Sequence, residues 1–199
     1  MSDLFDSAEG ATPLDPDERE GLRLSWVTSR GDLNRAEQAN IEKATVWAMR
    51  TRHRDILSVP FVVGLHKGMF GDVWTWAGTY RTTRKNIGIE AFLIPVELAK
   101  SLDSARYWIE NETYNPDEIA VHLHHQLVSI HPFPNGNGRW ARLMADVLIV
   151  SLGGERFTWG RGSFGSSGKA RAAYIEALRE ADRHDIEPLL AFARSRITI

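Results

Sequence analysis

The sequence predicts an all-α domain, a bundle of helices interrupted once by a β-hairpin. Three observations carry that expectation. Apolar residues recur at spacings of three and four along most of the chain after Asn34. The segments that do so open on capping residues and close on Gly or ahead of Pro. Only Thr79–Pro95 is instead rich in β-branched residues, around a polar centre at Lys85-Asn86, which reads as a hairpin.

Residues 1–31 are polar and punctuated by Gly and Pro, a lead-in with one short helix near Pro16–Leu24; residues 32–199 form the domain proper. Its first helix is expected from Asn34, as N-cap, with Glu37 completing a capping box and Ile41, Ala44, Trp47 and Ala48 on one face. An apolar, aromatic stretch over 60–77 reads as a short helix and a packed turn. After the hairpin, Pro95 opens a helix whose stripe is Leu98, Leu102, Ala105 and Ile109. Asn115-Pro116 with Glu118 opens the next, with Ile119, Leu123, Leu127 and Ile130 inward, and Pro132 ends it near His131. A helix from about Gly138 to Leu152 is apolar nearly all round and reads as the central buried one, closed by Gly153-Gly154. Two more helices follow a Gly/Ser-rich loop at 160–168.

The 199 residues suit one domain with a real core, and a net charge of −2 gives no support to bulk nucleic-acid or membrane binding. Without cysteine there are no disulfides or thiolate metal sites. The acidic start "MSDLFDSAEG" does not fit a secretory signal and no apolar run is long enough to span a membrane, so the expected location is the cytoplasm.

The chemistry concentrates in "IHPFPNGNGRWAR", Ile130–Arg142. The first turn of a helix leaves backbone N–H groups without internal partners, at the positive end of the macrodipole. Gly136 and Gly138 let a ligand approach those groups closely, which makes an anion nest. Arg139 and Arg142, three apart, share roughly one helix face and suit a ligand with more than one phosphate. His131, at the other edge, is suited to general-base work near neutral pH. A base beside a polyphosphate nest points to phosphoryl or nucleotidyl transfer.

"HPFPNGNGR", His131–Arg139, closely resembles the motif of the Fic family, H-P-F-x-[D/E]-G-N-[G/K]-R, and agrees at seven of its eight specified positions. "WTWAGTYRTTRKNIGI" is similar to the segment bearing the family's flap, and "RAAYIEALREADRHDIEPLLAFARSR" to its terminal helices. The likeness spans roughly 37–196 and is greatest to the small bacterial Fic proteins called mobile mystery protein B. The resemblance implies a Fic-like helical bundle with the β-hairpin as a flap beside the active-site loop. It implies a protein adenylyltransferase (AMPylation) that moves AMP from ATP to a Ser, Thr or Tyr hydroxyl of a target protein, releasing pyrophosphate, with Mg²⁺. It assigns His131 as base, Phe133 as the loop's anchor, Gly136, Asn137 and Gly138 to the anion hole, and Arg139 and Arg142 to the outer phosphates. Arg84, Lys85, Asn86, Ile87 and Gly88 would form the flap edge that docks the target.

Asn135 departs from the motif, which has a carboxylate there as a Mg²⁺ ligand; Asn offers only a neutral oxygen. Two alternatives follow: a Fic-type transfer of another nucleotide, a phosphate or a phosphocholine group, or a nucleotide-binding module without turnover. Many members carry an inhibitory helix, [S/T]-x-x-x-E-[G/N], whose Glu pairs with the second motif Arg. "LNRAEQ" matches only the Glu, so Glu37 is the candidate inhibitory residue and a capping residue is its other role; a separate antitoxin-like inhibitor is the alternative brake. His122, His124 and His125 have no metalloprotease spacing, and His124, seven residues before His131, is expected to pack beneath the loop. "GRGSFGSSGKA" lacks the Walker spacing, although it could border the nucleotide, with Tyr174 near the base.

Overall fold

The computed structural model describes residues 13–50, 55–160 and 168–195. Among these residues the architecture is helical: α1 (Pro16–Arg19), α2 (Arg30–Met49), α3 (Val59–Phe70), a 3-10 turn at Ala91–Leu93, α4 (Ile94–Glu110), α5 (Pro116–Ile130), α6 (Asn137–Ser151), α7 (Gly168–Asp182) and α8 (Glu187–Arg194). No described helix is long and apolar enough to cross a membrane.

The centre is α6. It packs on α5, α3 and α2, and Trp140, Ala141, Met144, Ala145, Leu148 and Ile149 are buried along it. Its ending at Gly153, with φ +87°, follows the Gly-Gly signal. The start of α5 is the Asn115/Glu118 capping box, with Glu118 N–H donating to Asn115 Oδ1 at 3.0 Å and Asn115 N–H to Glu118 Oε2 at 2.9 Å. Its stripe Ile119, Leu123, Leu127 and Ile130 is buried, as is Leu98, Leu102 and Ala105 on α4. Arg194 on α8 pairs with Asp117 at the start of α5 and lies over the Phe157 ring, tying the last helix to the core.

Two elements depart from the sequence expectation. First, α2 begins at Arg30, not after Asn34, because Ser29 and Asp32 make the capping box: Ser29 N–H donates to Asp32 Oδ2 at 3.0 Å and Asp32 N–H to Ser29 Oγ at 3.2 Å. The inward face is Leu33, Glu37, Asn40, Ala44 and Ala48, while Trp47 is partly exposed and stacks on Phe61. Glu37 therefore has no capping duty.

Second, the hairpin over Thr79–Pro95 does not form; no strand occurs among the described residues, and the one isolated bridge joins Leu22 to Trp74. The hairpin's ladder is replaced by other partners. Arg81 N–H donates to Pro132 O at 2.9 Å, and Ile89 N–H to Ile130 O at 3.4 Å. The carbonyls of Thr83 and Ile89 accept from the Arg81 guanidinium instead of from each other's side of a ladder. The segment is an irregular loop closed on an arginine.

Residues 13–29 pack on this part of the chain. Val27 is buried, Arg23 N–H donates to Val73 O at 2.8 Å, and Thr75 N–H donates to Gly21 O at 2.9 Å.

Candidate active site

The loop between α5 and α6 is fixed from three sides. Phe133 is fully buried, stacked on His66 at 3.7 Å between ring centroids and edge-on to Trp140 at 4.9 Å. The Asn137 side chain closes the loop by accepting from Phe133 N–H at 2.9 Å and donating to Phe133 O at 2.8 Å. His66, fully buried on α3, accepts from Gly78 N–H at Nδ1 (3.0 Å), so its Nε2–H donates to the Asn135 carbonyl at 3.0 Å. Burial holds the His66 imidazole down, to about 3, which keeps it neutral in this bridging role.

Gly136 precedes α6 with φ +80°, and a Cβ there would lie 2.6 Å from the Phe70 ring, so only glycine fits. At Gly138 the nearest atom to a Cβ is Tyr174 Oη, 3.8 Å away. The loop thus delivers the first turn of α6, with the N–H groups that an anion would use, beside His131.

His131 follows α5 in the left-handed conformation, φ 54°. It is 5% exposed. Burial lowers its imidazole to about 4, with the Arg81 and Lys85 charges adding to the shift and a hydrogen bond with the Val128 backbone opposing it. At neutral pH the ring is uncharged and able to accept a proton.

The two arginines of the motif have different neighbours. Arg139 bonds to Glu37 at 2.6 Å and lies over the Phe70 ring. Glu37, 7% exposed, also accepts from Trp74 Nε1 at 2.7 Å. Arg142 packs over Tyr174, whose hydroxyl meets His124 Nε2 at 3.1 Å. Burial lowers Arg142 from its ordinary value. The Glu37 partner is therefore the first motif arginine, where the family pattern pairs the inhibitory Glu with the second. Tyr174, buried between Arg142 and His124, supports the arginine and does not line an open base site.

Asn135 Oδ1 accepts from Gly136 N–H at 2.7 Å. A neutral oxygen already so engaged is not a magnesium site by itself; an ion here would be held chiefly by a nucleotide's phosphates. Among the described residues no group of three or more His, Asp or Glu could hold a metal. His124 packs against Trp159 and Tyr174, His122 lies against Tyr114 and Trp108, and His125 pairs with Asp182 at 2.8 Å.

In the flap segment Arg84, Asn86, Ile87 and Gly88 are exposed. Lys85 is not: its side chain is 2% exposed and pairs with Asp15 at 2.8 Å and Glu18 at 2.5 Å, so α1 takes this side chain away from any docking edge. Gly88 touches the site directly, since a Cβ on it would lie 2.6 Å from His131 Cβ. Of the Gly/Ser-rich loop at 160–168 suggested as a border, residues 161–167 lie outside the described residues.

Sequence reasoning passed over His66 and Arg81. The signal for His66 was available: a lone polar residue at a stripe position in "VVGLHKGMF", four residues after Val62 and three before Met69.

The family model described as Fic/DOC family matches residues 56–149. The chain is 26% identical over 176 residues to a protein adenylyltransferase Fic of Nematostella vectensis, covering 83% of this chain and 39% of the relative. It is 29% identical over 135 residues to one of Drosophila grimshawi, covering 66% and 26%. It thus spans about two fifths or less of the curated relatives' length. Among solved structures, Fic-1 of C. elegans (residues 134–508) aligns with a TM-score of 0.62 at 24% identity, covering 88% of this chain and 56% of that one. BepC of Bartonella tribocorum, solved with AMPPNP bound, aligns with a TM-score of 0.63 at 20% identity, covering 90% and 97%. These likenesses show the fold.

Proposed function

Because residues 56–149 match the Fic/DOC family model, we propose that this chain is a Fic-type protein adenylyltransferase using ATP. The observation that carries the reading is a neutral, buried His131 set beside the Gly136–Arg139 start of α6. His131 takes the proton of a Ser, Thr or Tyr hydroxyl on a target protein. The hydroxyl oxygen attacks the α-phosphorus, the bond from that phosphorus to the bridging oxygen breaks, and pyrophosphate leaves. The N–H groups of Asn137 and Gly138, with that of Gly136 once it leaves Asn135 Oδ1 and with Arg139 and Arg142, offset the charge on the phosphates. Mg²⁺ accompanies the nucleotide as its counter-ion, and no step depends on a protein ligand to it. The named relatives, protein adenylyltransferases, and the AMPPNP-bound BepC support this donor. The cytoplasmic location expected from the sequence is part of this reading.

Glu37 acts in this reading as an internal brake. Its bond to Arg139 must open before that arginine can hold a phosphate. If Glu37 does not restrain the site, a separate antitoxin-like protein is the remaining source of inhibition. The exposed edge at Arg84 and Asn86–Gly88 docks the target's backbone. We also propose the mobile mystery protein B subgroup, on the motif and flap segments of the sequence alone.

Incubation with α-labelled ATP and a cell lysate tests the proposal. Label passes to protein with wild type and not with His131→Ala; equal labelling by both removes it. A second reading, a different donor or transferred group, follows from Asn135. Label arriving from γ-labelled and not from α-labelled ATP selects it.

A further inference from the structure

Arg81 is buried, 3% exposed, and its guanidinium is spent almost wholly on backbone carbonyls. Nε donates to His131 O at 2.7 Å, Nη1 to Thr83 O at 2.9 Å, and Nη2 to Ile89 O and, at 3.4 Å, to Ile130 O. Two of these carbonyls belong to the flap segment and two to the end of α5 and the residue after it. The Arg81 backbone N–H adds a fifth bond, to Pro132 O at 2.9 Å. Gly88 closes the joint from the other side, its Cα backed against His131 Cβ and Arg81 Nη2.

A planar fork of five donors can serve several carbonyls in fixed directions, which a lysine ammonium cannot do. The arrangement has a mechanical consequence. The edge proposed to hold the target and the histidine proposed to receive its proton are both fastened to one side chain. His131 also has a positive φ, a conformation that a non-glycine residue keeps only when its surroundings hold it there. Its carbonyl bond to Arg81 is one of those constraints.

We propose that Arg81 is a positioning residue for the transfer reaction: it couples the flap segment to the His131 loop, so that a docked acceptor hydroxyl and the imidazole are held in register. This rests on the reaction proposed above. Arg81 is buried and its donors are spent on backbone carbonyls, so its loss acts on the alignment step and spares the phosphate grip of α6. The charge alone is insufficient, because the fork directs the carbonyls of four residues at once.

Arg81→Lys keeps the charge and loses the fork. We expect kcat for lysate labelling from α-labelled ATP to fall on the order of 10- to 100-fold, the usual cost of slight misplacement, with AMPPNP affinity unchanged. Amide exchange at residues 82–90 should quicken while α5 and α6 keep their protection. Gly88→Ala, which forces the same joint apart from the flap side, should reproduce the kcat loss, and carries the test if Arg81→Lys does not fold. Wild-type kcat in the Lys variant, or a parallel loss of kcat and AMPPNP affinity, overturns the proposal. If wild type itself shows no His131-dependent labelling, it is the reaction that fails. The exchange measurement then decides the joint alone, and unchanged rates at 82–90 overturn it.

Discussion

Lowering the pH from 7 to 5 should destabilise this domain steeply. Three histidines are buried: His66 and His124 at about 3 and His131 at about 4, against 6.5 in the unfolded chain, each depressed first by burial. Between those values the unfolded state takes up protons that the folded state refuses. Stability is therefore full above the unfolded pKa and is lost as pH falls below it. At pH 5 each histidine costs about 2 kcal/mol, and the three together about 6 kcal/mol. That is comparable to the whole stability of an ordinary domain, about 5–15 kcal/mol. Half-buried His122, also lowered, acts in the same sense, whereas Asp146, raised by burial, acts in the opposite one. Urea unfolding at pH 7, 6 and 5 measures the effect. The free energy should drop by more than one proton's worth per pH unit, which is about 1.4 kcal/mol. In His124→Phe the slope should lose about one third, whatever the variant's stability at pH 7. A flat free energy over this range would refute the reasoning, since it requires these histidines to titrate normally in the fold.

Glu37→Gln keeps an acceptor for Trp74 and removes the charge that engages Arg139. AMPPNP should then bind about tenfold more tightly or better, the worth of one charge-assisted hydrogen bond, as read by calorimetry; weaker binding would count against a brake. Gly136→Ala should cost about 1–3 kcal/mol from the positive φ alone, with the Phe70 clash adding to it. Gly138→Ala should fold as wild type, and thermal melts compare the two. Lys85→Met strands Asp15 and Glu18. It should cost about 1–3 kcal/mol, less than a fully buried pair because Asp15 remains partly in water, with proteolysis between residues 19 and 30 accelerated.

The helices and the loop chemistry were legible where the signals are local. Asn115-Pro116-x-Glu118, the stripe to Ile130 and the glycines at 136, 138 and 153 act within a few residues of themselves, so their spacing alone locates α5, the loop and α6. What was misread depends on partners distant in the chain. Glu37 and Asn40 face inward because Arg139, Trp74 and Asp72 meet them there, and a periodicity count assigns inward positions to apolar residues only. Two capping boxes also competed in one stretch, and Ser29/Asp32 prevailed, which freed Glu37. The β-branched content of Thr79–Ile89 suggested a ladder, but β propensity describes a fit to a half-buried pleated surface and says nothing of an arginine that captures the carbonyls first. Lys85 looked like the exposed tip of a turn because its acidic partners are about seventy residues earlier.

The central claim is that His131 faces the α-phosphate of a nucleotide held at the start of α6. A crystal structure of the protein with AMPPNP and Mg²⁺ tests it most directly. The account predicts the phosphates on the N–H groups of Gly136–Gly138, Arg139 turned from Glu37 to the phosphates, and the α-phosphorus in line with the His131 imidazole. A γ-phosphate in that place, or a nucleotide bound with Glu37 and Arg139 still paired, would contradict it.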